Sequence, residues 1–259
     1  MSPQQTFYLD SLVQFIIDHS SGDNLVSPQQ SKQNLENNLV GIYNMKKSSQ
    51  LDEIKESKPT TAGCGLRLTT DGYILTAYHV IEAAYQRVNG ALQGPDFVII
   101  GDQTENIYYL DPSVMVTYPQ YDLALIKAYN PSVGEPIPFN INHDGIQYAQ
   151  RVSALALHHR NLIVTSSRGF VYDRYKDCPA LNRDGTKRME IADLFMTSAA
   201  VSKGNSGGIF ITEEGSLAGI ISSALFPEKI GVGKGCGIDI CYGLELIGLG
   251  LASMLDINL

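Results

Sequence analysis

A serine in a glycine-rich stretch is the first residue of this sequence whose setting suggests covalent chemistry. Ser206 lies in Gly204-Asn-Ser-Gly-Gly208, directly before a strand-like run at 209–212. Glycines cost backbone entropy and give a core nothing to pack, so we expect backbone N–H groups here to point into a cavity beside an exposed hydroxyl. An acyl-transfer nucleophile needs that setting, because nearby amides must hold the oxyanion that forms when the serine attacks. A plain glycine-rich turn is the alternative interpretation.

Two further stretches contain the partners that a serine nucleophile needs. His79 follows the apolar run 73–78, where a strand gives way to a helix. A hydroxyl is a poor nucleophile near neutral pH until a positioned imidazole accepts its proton. Asp122 opens the apolar strand 123–128, and a carboxylate entering a core strand needs a partner. Orienting His79 and stabilising its imidazolium would be such a role.

Together these stretches resemble a known family. Ile74-Leu-Thr-Ala-Tyr-His-Val80, Tyr121-Asp-Leu-Ala-Leu-Ile-Lys127 and the glycine-rich stretch occur in the order His, Asp, Ser, which resembles the chymotrypsin-like serine peptidases. Segments 65–76 and 197–204 are similar to the high-temperature-requirement (HtrA/Deg) branch, and the likeness covers about residues 60–255. The resemblance implies a mainly β fold of two six-stranded, trypsin-like barrels with the catalytic cleft between them.

The resemblance also implies a role for each residue of the site. His79 would act as base and then as acid, Asp122 would orient it, and Ser206 would be the nucleophile. The backbone amides of Gly204, Asn205 and Ser206 would form the oxyanion hole. This chemistry needs no metal and no organic cofactor, and its substrate would be a protein or peptide.

Four residues are expected to contact the substrate. Ala200, six residues before the nucleophile, would form the floor of the first substrate pocket, and Ser222, Ser223 and Ala224 would lie on the strand that binds the substrate backbone. These positions offer no Asp to a Lys or Arg side chain and no His to a Glu side chain. The resemblance therefore implies cleavage after a small or medium aliphatic residue.

Two departures concern activation. In many digestive relatives an Asp precedes the nucleophile and pairs with a newly cut N-terminus, whereas this chain has Asn205 there. Activation by cleavage is therefore not expected. The charged segment 173–188, directly before the strand that leads to the nucleophile, is expected to gate activity, with a solvated surface loop as the alternative.

Periodicity divides the chain into three parts. Residues 1–60 predict an α-helical N-terminal extension and linker, with two amphipathic helices within 1–47 that each begin with Ser-Pro-Gln-Gln, a capping-box arrangement. These helices would either serve a partner or self-association, or pack on their own barrel. Short alternating segments predict a first barrel at 61–135, with a hairpin turn at Asp71-Gly72. They predict a second barrel at 136–259 that ends in a helix at 242–255.

Composition excludes several other functions. The chain has 259 residues, of which 44% are hydrophobic and 18% charged, as is typical of globular proteins. Its net charge of −8 disfavours a nucleic-acid partner. Four cysteines are too few for a disulfide scaffold, and Cys236 and Cys241 would lie on opposite faces of a regular strand, which disfavours a metal site.

The expected location is cytoplasmic, because the sequence shows neither a signal peptide nor an apolar run long enough to span a membrane. Export by a specialised secretion route, as for an effector, is the alternative. The peptide-binding PDZ domain that follows the barrels in HtrA relatives is not expected in this sequence. Two rival functions stay open: a catalytically silent, trypsin-like module that binds peptides, and an esterase with the same triad.

Overall fold

The structure of the protein is a computed structural model, and its described part comprises residues 3–20, 22–44, 60–82, 87–88, 91–92, 97–101, 107–128, 135–157, 163–175, 178–181, 187–191, 194–225 and 232–254. Two closed barrels and a set of flanking helices account for most of these residues. The predicted mainly β, two-barrel architecture is therefore confirmed.

The first barrel has the strand order β1-β2-β3-β8-β7-β6. Its strands are β1 (Leu39–Asn44), β2 (Thr60–Arg67), β3 (Tyr73–Ala77), β6 (Phe97–Gly101), β7 (Ile107–Tyr118) and β8 (Leu123–Ala128), while β4 (Arg87–Val88) pairs separately with β5 (Ala91–Leu92). The turn predicted at Asp71-Gly72 connects β2 with β3, and Gly72 adopts φ +101°, a conformation that glycine reaches without steric cost. Every residue of β3 and β8 is buried, so the two strands that lead to His79 and from Asp122 form the interior of this lobe.

The second barrel has the order β10-β13-β16-β15-β14-β9. Its strands are β9 (Arg151–Leu157), β10 (Val164–Tyr175), β13 (Leu194–Ser202), β14 (Ile209–Thr212), β15 (Leu217–Leu225) and β16 (Val232–Asp239), and a separate hairpin pairs β11 (Cys178–Leu181) with β12 (Lys187–Ile191). The nucleophile segment connects β13 with β14. It therefore lies at one end of this barrel.

The helices of the described residues are α1 (Pro3–Ser20), α2 (Pro28–Asn37), α3 (Tyr78–Glu82) and α4 (Ile240–Met254), with one 3-10 turn at Pro119–Tyr121. Ser27 caps α2 as the sequence predicts, because its hydroxyl accepts a hydrogen bond from Gln30 N at 3.3 Å. The second predicted helix is shorter than expected, since it ends at Asn37 and Leu39–Asn44 is strand β1. Pairing with both β2 and β6 favours the strand for these residues.

The N-terminal helices pack on their own barrels. Leu12 and Leu35 are fully buried and Phe15 is 1% exposed, in one core cluster with residues from both lobes. The Ser31 hydroxyl of α2 donates to Gly215 O at 2.7 Å in the second barrel, and it accepts a hydrogen bond from Asn140 N at 2.8 Å in the segment between the lobes. The intramolecular alternative thus accounts for the apolar faces, while self-association through these helices stays a prediction.

A buried ion pair anchors α1 to the first barrel. Lys127 Nζ lies 2.6 Å from Asp71 Oδ2, and both side chains are at most 3% exposed. Asp71 Oδ1 accepts hydrogen bonds from Thr69 and from Ser11 of α1, and the Lys127 ammonium lies 3.9 Å from the centre of the Tyr73 ring. These contacts satisfy both buried charges, as their desolvation requires.

Candidate active site

Asp122 is held in place by its own backbone. The 3-10 turn at Pro119–Tyr121 ends at Asp122, which adopts φ +50°, and its N–H donates to Pro119 O at 3.0 Å. Its carbonyl oxygen accepts a hydrogen bond from Tyr78 N at 2.8 Å. The left-handed conformation is uncommon outside glycine and marks a constrained position. Here it places the Asp122 carboxylate next to His79.

His79 and Asp122 form a close pair. His79 Nδ1 lies 2.8 Å from Asp122 Oδ2 and 3.0 Å from Oδ1, and the His79 backbone N–H donates to Oδ1 at 2.9 Å. The Asp122 side chain is 1% exposed and that of His79 is 23% exposed. Because the carboxylate accepts the proton on Nδ1, the neutral ring keeps a lone pair on Nε2, the atom that can take a proton from a substrate or a nucleophile.

Ser222 supplies a contact that the sequence analysis did not foresee. It was expected to bind the substrate, but its side chain is buried and its hydroxyl donates to Asp122 Oδ2 at 2.5 Å. It lies at a bulge in β15, between Ile221 and Ser223, where the register with β16 shifts. A bulge re-aims a side chain and leaves backbone groups unpaired. A hydroxyl within a buried apolar strand needs a hydrogen-bond partner. The position of Ser222 in the apolar run of β15 therefore already indicated such a partner.

Ser206 lies at the seam between the barrels. Its carbonyl oxygen accepts a hydrogen bond from Cys64 N of β2 at 2.6 Å. A Cβ on Gly207, which adopts φ +81°, would collide with the Cys64 carbonyl and the Thr76 hydroxyl. Thr76 lies three residues before His79, so the backbone next to Ser206 lies beside the strand that leads to His79. In the described part of the chain, the Ser206 hydroxyl makes no hydrogen bond with His79.

Asn205 braces the loop that precedes the nucleophile. Its Oδ1 accepts hydrogen bonds from Ser202 N at 2.6 Å and from Ser202 Oγ at 2.9 Å. Its own N–H donates to Ser202 O at 3.0 Å and its carbonyl accepts from Gly208 N at 2.9 Å. The Asn205 amide is therefore engaged within the loop. Of the three amides expected to form the oxyanion hole, those of Gly204 and Ser206 donate to no described residue.

A small cavity adjoins this loop. It has a volume of about 160 Å³ and is lined by Ala200, Asn205 and Ile221 together with small residues of β9 and β10. Ala200 is exposed, as a residue of a substrate pocket should be. The cavity is smaller than the pockets that hold drug-sized ligands and suits one side chain. Ser223 and Ala224 lie in β15 opposite Cys236 and Gly235, and their side chains lie outside the described set.

The segment expected to gate activity, 173–188, includes β11 and the first residues of β12, the two strands of the separate hairpin. Within 173–188, β10 continues to Tyr175, and residues 176–177 and 182–186 lie outside the described residues. Strand β12 packs beside the 3-10 turn at Pro119–Tyr121, which positions Asp122. The hairpin therefore connects the second lobe with the turn that precedes Asp122 in the first.

The described residues contain no cluster of His, Cys, Asp and Glu side chains that could hold a metal ion. Cys64, beside the nucleophile loop, is fully buried, and burial raises the pKa of its thiol to about 12. It is therefore protonated at neutral pH and cannot replace the serine as nucleophile. Of the helices in the described ranges, none is both long and apolar enough to cross a bilayer.

Comparison with known proteins identifies related domains. A family model described as "Trypsin-like peptidase domain" matches residues 63–220. The magnetosome formation protease MamE of Paramagnetospirillum magneticum is 27% identical over 178 residues, which cover 68% of this chain and 22% of MamE. The periplasmic serine endoprotease DegP of Escherichia coli K12 is 26% identical over 185 residues, which cover 71% of this chain and 34% of DegP. The chain thus spans only about a fifth to a third of the length of these relatives.

Solved structures show the same fold. The MamO protease domain from Magnetospirillum magneticum, in its apo form, has a TM-score of 0.58 at 18% identity and covers 82% of this chain and 96% of that domain. The HtrA-type protease AlgW with a decapeptide has a TM-score of 0.59 at 20% identity and covers 89% of this chain and 68% of AlgW. At these identities the likeness concerns the arrangement of the barrels.

The relatives overturn the expectation of a cytoplasmic location. DegP of Escherichia coli and its counterpart in Buchnera aphidicola are named as periplasmic, and MamE is named for magnetosome formation. The expectation was wrong because it rested on targeting and membrane-spanning patterns that the sequence does not show, whereas the relatives of the barrels point to export.

Proposed function

This chain belongs to the trypsin-like peptidase family, and we propose that it is a serine endopeptidase of the HtrA type acting through Ser206, His79 and Asp122. The observation that carries the proposal is the buried pairing of His79 Nδ1 with Asp122 at 2.8 Å, beside a nucleophile loop with two unengaged amides. The missing bond between Ser206 and His79 does not oppose it, because catalytic hydrogen bonds are often long before substrate binds.

The proposed reaction begins with proton transfer. His79 Nε2 accepts the Ser206 proton as Oγ attacks the scissile carbonyl carbon, and Asp122 stabilises the imidazolium that forms. The backbone amides of Gly204 and Ser206 hold the oxyanion. His79 then donates its proton to the leaving amine, which departs and leaves an acyl-enzyme. A water molecule, deprotonated by His79, hydrolyses this ester and restores Ser206.

Ser222 and Asn205 support these groups without touching the substrate in this proposal. The Ser222 hydroxyl, which belongs to β15 of the second barrel, donates a hydrogen bond to the Asp122 carboxylate and so holds it in place for His79. Asn205 replaces the charged residue that digestive relatives use, and it braces the loop by neutral hydrogen bonds to Ser202. The loop is thereby ordered without a newly cut N-terminus.

The proposed specificity is for a small or medium aliphatic residue before the scissile bond. The cavity of about 160 Å³ beside Ala200 supports this, since its lining consists of small, aliphatic and hydroxyl side chains and the amide of Asn205, with no ionised group. A buried charge on the substrate would be unpaired there. Profiling with a peptide library should therefore show Val, Ala or Leu before the cut, and strong selection of Arg or Glu would refute the assignment.

A fluorophosphonate probe tests the proposed function. Wild-type protein should be labelled and should cleave an unfolded protein substrate, while Ser206→Ala should do neither. His79→Ala should lose labelling without losing its fold, as judged by circular dichroism. Equal labelling of wild type and Ser206→Ala would refute the assignment of the nucleophile.

A catalytically silent peptide-binding module is the second candidate. The observation that favours it is the unbonded Ser206 hydroxyl, which leaves the triad incomplete in the absence of substrate. In that case peptides would bind wild type and Ser206→Ala equally, and neither protein would be labelled or cleave. An esterase with the same triad would instead be labelled and hydrolyse esters while leaving peptides intact.

A further inference from the structure

A cationic groove lies on the outer surface of the second barrel, away from the crevice of His79 and Ser206. It has a volume of about 450 Å³ and is lined by strands β9, β10 and β14 together with Lys32 of α2. We call it the basic groove and define it by Lys32, Arg151, Arg168, Phe170 and Glu213. No step of the proposed peptidase reaction uses any of these residues.

The charge of the basic groove is opposite to that of the protein. The lining of the groove contains three cations, Lys32, Arg151 and Arg168, and one carboxylate, Glu213, in a chain whose net charge is −8. A cleft lined by one sign of charge concentrates the field and attracts the opposite charge. Because the net charge of the chain is negative, an acidic molecule is best retained where cations cluster, as they do in this groove.

The cations of the groove are available to a ligand. Arg151 pairs with Glu213 at 3.2 Å, but the two side chains are 74% and 60% exposed. Lys32 lies 3.8 Å from Glu36, also at the surface. Exposed ion pairs of this kind contribute little to stability, so a ligand carboxylate can take the place of Glu213 beside Arg151 or of Glu36 beside Lys32. Arg168 is exposed and forms no ion pair with any residue that the structure describes.

Strand register places an apolar contact among the charges. Arg151 is directly opposite Phe170 across the β9–β10 ladder, and Arg168 is opposite Ser153. The Phe170 side chain is 51% exposed, one of the few large apolar side chains at the surface among the described residues. A ligand that carries both carboxylates and an apolar side chain would match this arrangement.

The N-terminal extension completes the groove. Lys32 follows Ser31, whose buried hydroxyl is bonded to Gly215 O at 2.7 Å, and Gly215 lies close enough to α2 that a Cβ there would collide with Pro28 O. Lys32 is therefore held over the barrel surface by buried contacts. The nucleophile loop precedes β14 and Glu213 follows it, so roughly 13 Å of strand separates the groove from the catalytic loop.

We propose that the basic groove binds an acidic polypeptide segment that also carries an aromatic or aliphatic side chain. The carboxylates pair with Arg168, Arg151 and Lys32, and the apolar side chain packs against Phe170. This role rests on the proposed peptidase function: the segment would belong to a protein substrate, and the groove would anchor that substrate at a point outside the catalytic cleft. Binding itself does not depend on catalysis.

Fluorescence anisotropy tests this with a fluorescein-labelled peptide of alternating Glu and Phe residues, measured on Ser206→Ala protein so that no turnover occurs. The peptide should bind, and its affinity should fall severalfold when salt is raised from about 50 to about 300 mM. Arg168→Glu should weaken binding about tenfold, and Arg151→Glu should do the same. The matched control is Lys234→Glu, an exposed cation of β16 outside the groove, which should bind as the parent does.

Other outcomes would overturn the proposal. Equal loss of affinity in Lys234→Glu and Arg168→Glu would show a general charge effect. Unchanged affinity in Arg168→Glu and in Arg151→Glu, with both proteins folded, would show that the peptide binds elsewhere. A DNA duplex that competes as well as the peptide would show a site for polyanions. Since all arms use Ser206→Ala, a failure of the peptidase assignment would leave these results unaffected.

Discussion

Removing the side chain of Asn205 should disorder the oxyanion loop while leaving the rest of the site in place. Asn205 Oδ1 accepts two hydrogen bonds, from Ser202 N at 2.6 Å and from Ser202 Oγ at 2.9 Å. Each contributes about 1 kcal/mol net, so Asn205→Ala should destabilise the braced loop by about 2 kcal/mol. At 1.4 kcal/mol for each factor of ten, this corresponds to about a 30-fold loss of the ordered form.

The second-order rate of fluorophosphonate labelling measures that loss, since the reaction needs the Gly204 and Ser206 amides in position. Asn205→Ala should label up to about 30-fold more slowly. Ser202→Ala, which removes only the hydroxyl bond, should lose about fivefold. The double variant should be no slower than Asn205→Ala, because the hydroxyl bond is already absent there. Asn205→Asp should keep the loop ordered yet react slowly, since its charge would lie next to the developing oxyanion.

Hydrogen exchange provides a readout that does not depend on catalysis. The Asn205 amide donates to Ser202 O at 3.0 Å, and it should exchange faster in Asn205→Ala than in wild type or Asn205→Asp. Labelling of Asn205→Ala at the wild-type rate would refute the brace. Strictly additive losses in Asn205→Ala and Ser202→Ala would refute the shared bond.

Three further outcomes are expected. Ser222→Ala removes a hydrogen-bond donor to the buried Asp122 carboxylate and should lower the free energy of unfolding by about 2 kcal/mol, measured by denaturant titration. The control is Ser216→Ala, because the Ser216 hydroxyl donates to no described residue; this variant should be as stable as wild type. Burial lowers the pKa of His19 below its usual 6.5, so the folded state binds fewer protons than the unfolded state. The free energy of unfolding should therefore fall as pH drops below 6.5, by up to about 1.4 kcal/mol per pH unit. His19→Gln should remove this pH dependence, and a pH dependence that persists in the variant would refute its assignment to His19. Replacing residues 178–191 by a short Gly-Ser linker should slow fluorophosphonate labelling about tenfold, because β12 packs beside the turn that holds Asp122. Labelling at the wild-type rate would refute the prediction that this hairpin gates activity.

The sequence could predict the two barrels and the pairing of His79 with Asp122, because the order of its His, Asp and Ser motifs resembles that of the chymotrypsin-like serine peptidases. The Asp71-Gly72 turn and the Ser27 cap are decided within a few residues, and the structure confirms both. An acid at the start of a buried strand needs a partner wherever the strand lies. The partner proved to be the imidazole of His79.

Other features depend on contacts that are distant in sequence. Leu39, Ile42 and Tyr43 suit one face of a helix as well as a strand, and short apolar runs of this kind cannot be assigned by periodicity alone. Pairing with β2 and β6 decided the outcome. Likewise, the bond from Ser222 to Asp122 joins residues 100 positions apart.

The bond between Ser31 and Gly215 has a consequence for the order of events during synthesis. Its two ends are separated by 184 residues, so α2 cannot dock until Gly215 of the second barrel has left the ribosome. Contacts of such long range form late and slowly. Helix α2, although synthesised early, would thus reach its final position only after four of the six strands of the second barrel have been made.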